Sequence, residues 1–227
     1  EFYIPLRDYQ IPGAYCFWML VHNSSIYKLC HFLFPLLISI PYVSTIYSDI
    51  KGNYIYNITS RTNKKNYYIS KLITQFIVGM TVVAFSLISS FILTAAVLPL
   101  EHPTKASAEY PLSVQKAFPQ LFYNHPLIAV IIFIILESVI FGIIGCIGFV
   151  FAYLLNNMIM VILSTFIIYY MDFILSNLYG RYGCLMTASK IAILHKEWIM
   201  GLVIELIIII VVELVACMIM INKKDII

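Results

Sequence analysis

Formal charge is scarce in this sequence. Of 227 residues, 14 are lysine or arginine and 11 are aspartate or glutamate, 11% of the chain, where a soluble domain carries about 25%. A net charge of +3 is too small to point to a nucleic-acid partner. Five cysteines are too few for a disulfide-dense secreted scaffold. Neither C-x-x-C nor H-E-x-x-H occurs, and His195-Lys-Glu197 is not a zinc spacing. No G-x-x-x-x-G-K-[ST] is present, so the chain has no phosphate cradle of that type. The expectation is a chain without a catalytic centre, metal or cofactor of its own.

Apolar residues are abundant, at 62%, more than a soluble globule of this size can bury. They fall in long runs. A helix rises about 1.5 Å per residue and the hydrocarbon core is about 30 Å thick, so about 20 apolar residues span it. Five runs qualify, at 29–46, 72–98, 127–155, 158–175 and 198–221. They do not alternate in polarity, which excludes a barrel of short strands. The expected fold is therefore all-α: a polytopic transmembrane helical bundle with five spans over 29–227, preceded by a segment at 1–28.

Polar connectors separate the runs. The stretch 99–126 holds Pro99, Pro103, Pro111, Pro119 and Pro126, so it cannot be one continuous helix. Asn156 and Asn157 mark a tight turn, and 176–197 is a polar loop. Lysine and arginine concentrate in cytoplasmic connectors. Lys51, Arg61, Lys64, Lys65 and Lys71 crowd into 48–71, with Lys223 and Lys224 in the tail. Arg7, Lys28, Lys105, Lys116, Arg181, Lys190 and Lys196 are spread thinly through the other connectors. The dense set is expected in the cytoplasm, with 99–126 and 176–197 outside. Residues 1–28 then also lie outside, for which the expectation is an earlier span, a sixth, ahead of Glu1, the alternative being five spans with the N-terminus outside. Within them Ala14 to Val21 reads as a segment on the outer interface, with Tyr15, Phe17 and Trp18 at headgroup depth.

The connector after the first span runs YSDIKGNYIYNITSRTNKKNYYISKLITQFIVG from Tyr47 to Gly79. Ile50, Tyr54 and Ile58 recur at spacing four, which predicts one apolar face of a short helix. A basic turn follows, then Tyr67 and Tyr68 at the interface, and Lys71 where the next span begins. Such a helix suits docking to a cytoplasmic partner, and equally an interfacial loop obeying the charge bias.

The unit from Trp18 to Pro99 resembles the type-2 permease family of ABC transporters, in particular small six-span permeases of Gram-positive bacteria. The resemblance is carried by the aromatic, serine-containing lead-in from Trp18 to Tyr27 and by the span FLFPLLISIPYVSTIYSD with Pro35 and Pro41. It continues in Asp49-x-x-Gly52 and in YIYNITSRTNKKNYYISK, ending at Lys71. Where the family often has Glu, this chain has the shorter Asp49. The resemblance implies that the connector is a coupling helix seated on a separate ATPase. It implies ATPase-coupling roles for Asp49, Gly52, Tyr54, Tyr56, Ile58, Arg61, Lys64, Lys65 and Lys71. It further implies two ABC ATPase subunits that bind ATP and Mg, a second permease chain as homo- or heterodimer, and a bacterial cell membrane. The function so implied is export of an amphipathic or hydrophobic compound, such as an antimicrobial peptide, a drug or a lipid-like molecule. The alternatives are a peptide immunity or sensor protein that does not pump, and a proton-coupled secondary transporter.

Glu137, Asp172, Glu205 and Glu213 lie in or beside apolar runs. A charge at the bilayer centre costs about 2.5–3.5 kcal/mol on insertion scales, so such residues face protein or water. Glu213 is eight residues beyond Glu205, about 80° round the helix, so the two share a broad face. Glu137, Glu205 and Glu213 are candidates for a translocation path or dimer seam that favours cationic cargo, or for structural hydrogen bonds. Gly142, Gly145 and Gly148 read as a close-packing stripe. Cys16, Cys30 and Cys184 fall on the outer side in this topology, compatible with a disulfide or with free thiols.

Overall fold

Lipid offers no partner to a bare peptide group, so each apolar run must satisfy its backbone internally as a helix. A computed structural model describes residues 13–22, 25–52, 54–103, 116–178 and 194–222. In chain order the elements are α1 (Ala14–Phe17), α2 (Met19–His22), α3 (Ser25–Lys51), α4 (Tyr54–Thr59), α5 (Lys64–Val97), α6 (Pro119–Asn124), α7 (Pro126–Leu154), α8 (Met158–Leu178) and α9 (Ile199–Asn222). A 3-10 turn, Lys196–Trp198, leads into α9. Five of these helices, α3, α5, α7, α8 and α9, are long and apolar enough to cross a membrane. The chain is thus a multi-pass helical membrane protein.

The helix α7 is the hub. It packs against α3, α5, α8 and α9, and half of its most apolar stretch is buried, against 17% for α5. Glycines make the close approach possible. A Cβ on Gly79 of α5 would lie 3.3 Å from the Gly142 Cα of α7, and one on Gly148 would meet Val43 of α3 at 2.7 Å. The outward faces of α5, α8 and α9 remain apolar, with Phe85, Ile92, Ile159 and Ile207 among the exposed side chains. Lipid or another membrane chain covers such faces.

Length separates the two ends of the bundle. α5 has 34 residues and α3 has 27, about 51 Å and 40 Å of helix against about 30 Å of hydrocarbon. Much of the surplus is the polar start of α5, residues 64–71, and the end of α3, residues 47–51. Both lie at the same end, joined by α4, so this elbow lies beyond the apolar stretches of α3 and α5.

Two prolines sit inside α3 and remove two ladder donors. Side chains add bonds to other carbonyls of the same stretch. Ser39 Oγ donates to the Pro35 carbonyl at 2.8 Å, and Gln75 Nε2 of α5 donates to the Ile38 carbonyl at 3.0 Å. α3 is thereby tied to α5 within the slab.

At the opposite end the chain folds back on the bundle. Trp18 is fully buried, its Nε1 donating to Ser90 Oγ at 3.0 Å and its ring edge-on to Phe91. Tyr15 is buried beside Phe91 as well, and of the three aromatics expected at headgroup depth only Phe17 is exposed, at 45%. Trp18 and Tyr15 therefore anchor the segment to α5 rather than to headgroups. The Ala14 amide donates to the Pro99 carbonyl, and the Ala117 amide to the Leu194 carbonyl, each at 2.8 Å. Cys16 and Cys30 are free thiols; Cys184 lies outside the described residues.

Candidate functional site

The elbow is built from a break, a short helix and a cap. Gly52 ends the run of α3, its amide donating to the Ser48 carbonyl at 2.8 Å, and a Cβ there would sit 3.0 Å from that oxygen. α4 follows and closes at Thr62, whose amide and hydroxyl both donate to the Ile58 carbonyl. Asn63 then caps α5, accepting from the Lys65 amide at 3.0 Å.

The break changes which side chains face inward. An unbroken helix would set Ile50, Tyr54 and Ile58 on one face. Instead Ile50, Ile55 and Ile58 pack against the buried group of Val43, Ile46, Tyr67 and Tyr68, and Tyr54 is 53% exposed. The restart after Gly52 turns Ile55 inward in place of Tyr54, while Ile50 and Ile58 keep the inward face. The Tyr56 side chain lies outside the described residues.

Asp49 and Lys71 clasp the base of the elbow. Lys71 Nζ lies 2.6 Å from Asp49 Oδ2, and the Tyr67 hydroxyl donates to the same oxygen at 3.2 Å. The Lys71 ammonium also lies 5.1 Å from the Tyr42 ring centre and 5.6 Å from that of Tyr67, within reach of a cation–π attraction. Both charged side chains are about four-fifths buried. They join the end of α3 to the start of α5, so they hold the elbow's shape from within.

A second link reaches the α7–α8 turn. The Tyr47 hydroxyl donates to the Asn156 carbonyl at 2.6 Å, and Lys51 Nζ donates to Asn156 Oδ1. Asn157 Oδ1 accepts from the Ile159 amide and starts α8. The elbow is therefore joined to the α7–α8 turn through Asn156 as well as to α3 and α5 directly.

Positive charge gathers at the tip. Arg61 and Lys65 are exposed, and Lys64 is half-buried. Lys64 and Lys65 occupy the first turn of α5, the positive end of the helix dipole, where each cation costs about 0.3–1 kcal/mol. The tip presents a concentrated positive surface at an expense in local stability.

The buried carboxylates lie at two levels. Glu137 is fully buried and accepts from the Tyr27 hydroxyl at 2.7 Å. His31, one turn past Tyr27 on α3, is also fully buried; its Nδ1 and the Tyr169 hydroxyl of α8 are 3.1 Å apart. His31 stacks edge-on to Phe141, with ring centres 5.1 Å apart. Tyr27, His31, Glu137 and Tyr169 thus form a polar cluster joining α3, α7 and α8. His31 and Tyr169 carried no periodic mark in the sequence; only their polarity inside apolar runs could have flagged them.

Glu205 and Glu213 share the inward face of α9 with Leu202, Cys217 and Met220. Glu213 borders a cavity of about 310 Å3 with Cys146 of α7. Cys146 is nine residues beyond Glu137, about 13 Å along the helix, so Glu137 and Glu213 serve different places. Asp172 is half-buried near the end of α8. Among the described residues no three His, Cys, Asp or Glu side chains converge as metal ligands would. Comparison with protein-family models, with curated proteins and with solved structures finds no match for this chain.

Proposed function

We propose that this membrane protein is the permease subunit of an ATP-driven exporter, coupled through the elbow to a separate ATPase. The observation that carries the reading is the construction of the elbow itself. It extends beyond the apolar stretches of α3 and α5, is clasped at its base by Asp49 and Lys71, and offers a basic tip at Arg61 and Lys65. Cations at a helix start are unfavourable alone and become favourable against an acidic groove. A rigid lever with a charged grip is what a nucleotide-driven partner needs.

In this reading two ATPase subunits close on ATP and Mg and push on two elbows, one from each of two permease chains. The clasp makes α3 and α5 move together, and Asn156 passes the push to α7 and α8. The seam between permease chains opens alternately to each side of a bacterial cell membrane. The motion is a rigid-body exchange between two packings, biased by contact at the tip. The cargo is an amphipathic or hydrophobic compound: an antimicrobial peptide, a drug or a lipid-like molecule. Reversing Arg61, Lys64 and Lys65 to Glu tests it. The expected outcome is basal ATP hydrolysis without cargo stimulation and without transport. Unchanged stimulation and transport would contradict the proposal.

The Tyr27–His31–Glu137–Tyr169 cluster favours a second reading, a proton-coupled transporter, since intramembrane ionisable chains serve proton relays. Transport that collapses with the proton gradient and proceeds without any ATPase chain would select it.

A further inference from the structure

The cavity beside Glu213 has a composition that neither reading uses. α5 contributes Leu72 and Phe76, α7 contributes Ile143 and Cys146, and α9 contributes Ile210 and Glu213. The space is about 310 Å3, at the small end of ligand pockets, which run about 300–1,000 Å3. Its wall is hydrocarbon apart from the Cys146 thiol and one carboxyl. The thiol is already turned to its own helix, with Sγ 3.5 Å from the Gly142 carbonyl. Glu213 is 95% buried by accessible area, at 5% exposure, and its Oε1 has no hydrogen-bond partner.

A buried carboxyl oxygen without a partner is costly, by about 1–3 kcal/mol or more when charged. Packing alone would favour an apolar residue such as Leu at position 213. The position is also deep: Glu213 is nine residues before Asn222 at the end of α9, about 13 Å along the helix. On the rim, Ile73 and Leu214 are each 49% exposed, so the mouth opens sideways toward the hydrocarbon of the elbow-side leaflet.

We infer that this cavity binds one small lipophilic organic cation, entering from the bilayer, with the Glu213 carboxylate as its counter-ion. Charge complementarity selects the occupant. An acyl chain would fill the space but leave the carboxyl unpaired. An anion would be repelled, and a hydrated metal ion would find a single ligand in an apolar wall. A quaternary ammonium with aromatic or alkyl arms meets both requirements: its arms lie on Phe76, Ile143 and Ile210, and its charge meets Glu213. Phe76 supplies an aromatic side chain to the wall. The inference goes beyond ATP coupling and needs no ATPase.

The test is equilibrium binding of radiolabelled benzyltriethylammonium to the full chain in nanodiscs of neutral lipid, with empty nanodiscs subtracted. The expected result is saturable binding near one per chain. Glu213→Gln should weaken it at least about tenfold, as loss of one partner from a desolvated charge pair does. Ile210→Trp, which fills the space and keeps the carboxyl, should abolish it. The uncharged carbon isostere of the probe should fail to compete. Thermal unfolding checks each variant, and where Glu213→Gln does not fold, Ile210→Trp and the isostere decide. Absence of saturable binding, or equal binding by Glu213→Gln or by Ile210→Trp, overturns the inference. So does equal competition by the isostere, or cross-linking of Leu214 to a second chain with no probe bound, which would assign the cavity to a seam between copies.

Discussion

The Asp49 carboxylate and the Lys71 ammonium, 22 residues apart in the chain, meet at 2.6 Å across the base of the elbow. Each is about four-fifths buried. Removing one partner leaves the other desolvated without its counter-charge. Asp49→Asn and Lys71→Met should each lower stability by about 1–3 kcal/mol, read by thermal unfolding in detergent. The double variant should lose less than the sum of the two. Strict additivity would mean that the pair is not coupled.

The glycines of the α5–α7 and α3–α7 seams leave no room for a methyl group. A Cβ on Gly148 meets the Val43 methyl at 2.7 Å, and one on Gly142 meets Met80 Cγ at 2.7 Å. Val43 is β-branched and stiff at χ1, and the Cβ on Gly142 also meets two Phe76 ring carbons at 3.0 Å. Gly148→Ala and Gly142→Ala should therefore each cost about 1–3 kcal/mol. Unfolding midpoints read the loss; a variant as stable as the parent would contradict the packing.

Tyr27→Phe removes the 2.7 Å hydrogen bond to Glu137 and keeps the ring. The expected loss is about 1–3 kcal/mol. The proton-relay reading adds that transport, if it persists, changes its dependence on pH. Tyr169→Phe should behave alike through His31, 3.1 Å away.

Labelling fixes the sidedness. A cysteine at Arg61, an exposed tip position, should react with an impermeant maleimide only after the membrane is opened. A cysteine at Lys116, at the other end of the bundle beside His195, should react in intact cells. Each is read against the unsubstituted chain. The opposite pattern would invert the topology and remove the elbow from any cytoplasmic partner.

The spans were legible because apolar length is a strong local pattern: 127–155 and 198–221 match α7 and α9 to within a residue. α3 and α5 run further than their apolar windows because the overhangs at 47–51 and 64–71 are helical but polar, which hydropathy does not register. On the elbow Ile50 and Ile58 face inward as their spacing predicts, but Tyr54 does not, because spacing four assumes one unbroken helix and Gly52 breaks it. The role of Trp18 was hidden for a different reason. An aromatic beside an apolar octet looks like an interface anchor, while its partner Ser90 is 72 residues away. The His31–Tyr169 contact spans 138 residues, and the Asn156 link to Tyr47 spans 109. Contacts of that range depend on how the helices assemble, which no local periodicity carries. The glycine stripe at 142, 145 and 148 was legible, since small residues at regular spacing have few uses besides close packing.

In the proposed coupling a separate ATPase grips the elbow at its basic tip. The most direct measurement places a photo-reactive benzoylphenylalanine at Arg61 and, separately, at Lys65, and irradiates living cells. The prediction is a covalent adduct between this chain and an ATP-binding-cassette ATPase at both positions, weakened when the neighbouring basic residues are reversed to Glu. Absence of that adduct from the tip, with the same ATPase cross-linking elsewhere on the chain or not at all, would contradict the account.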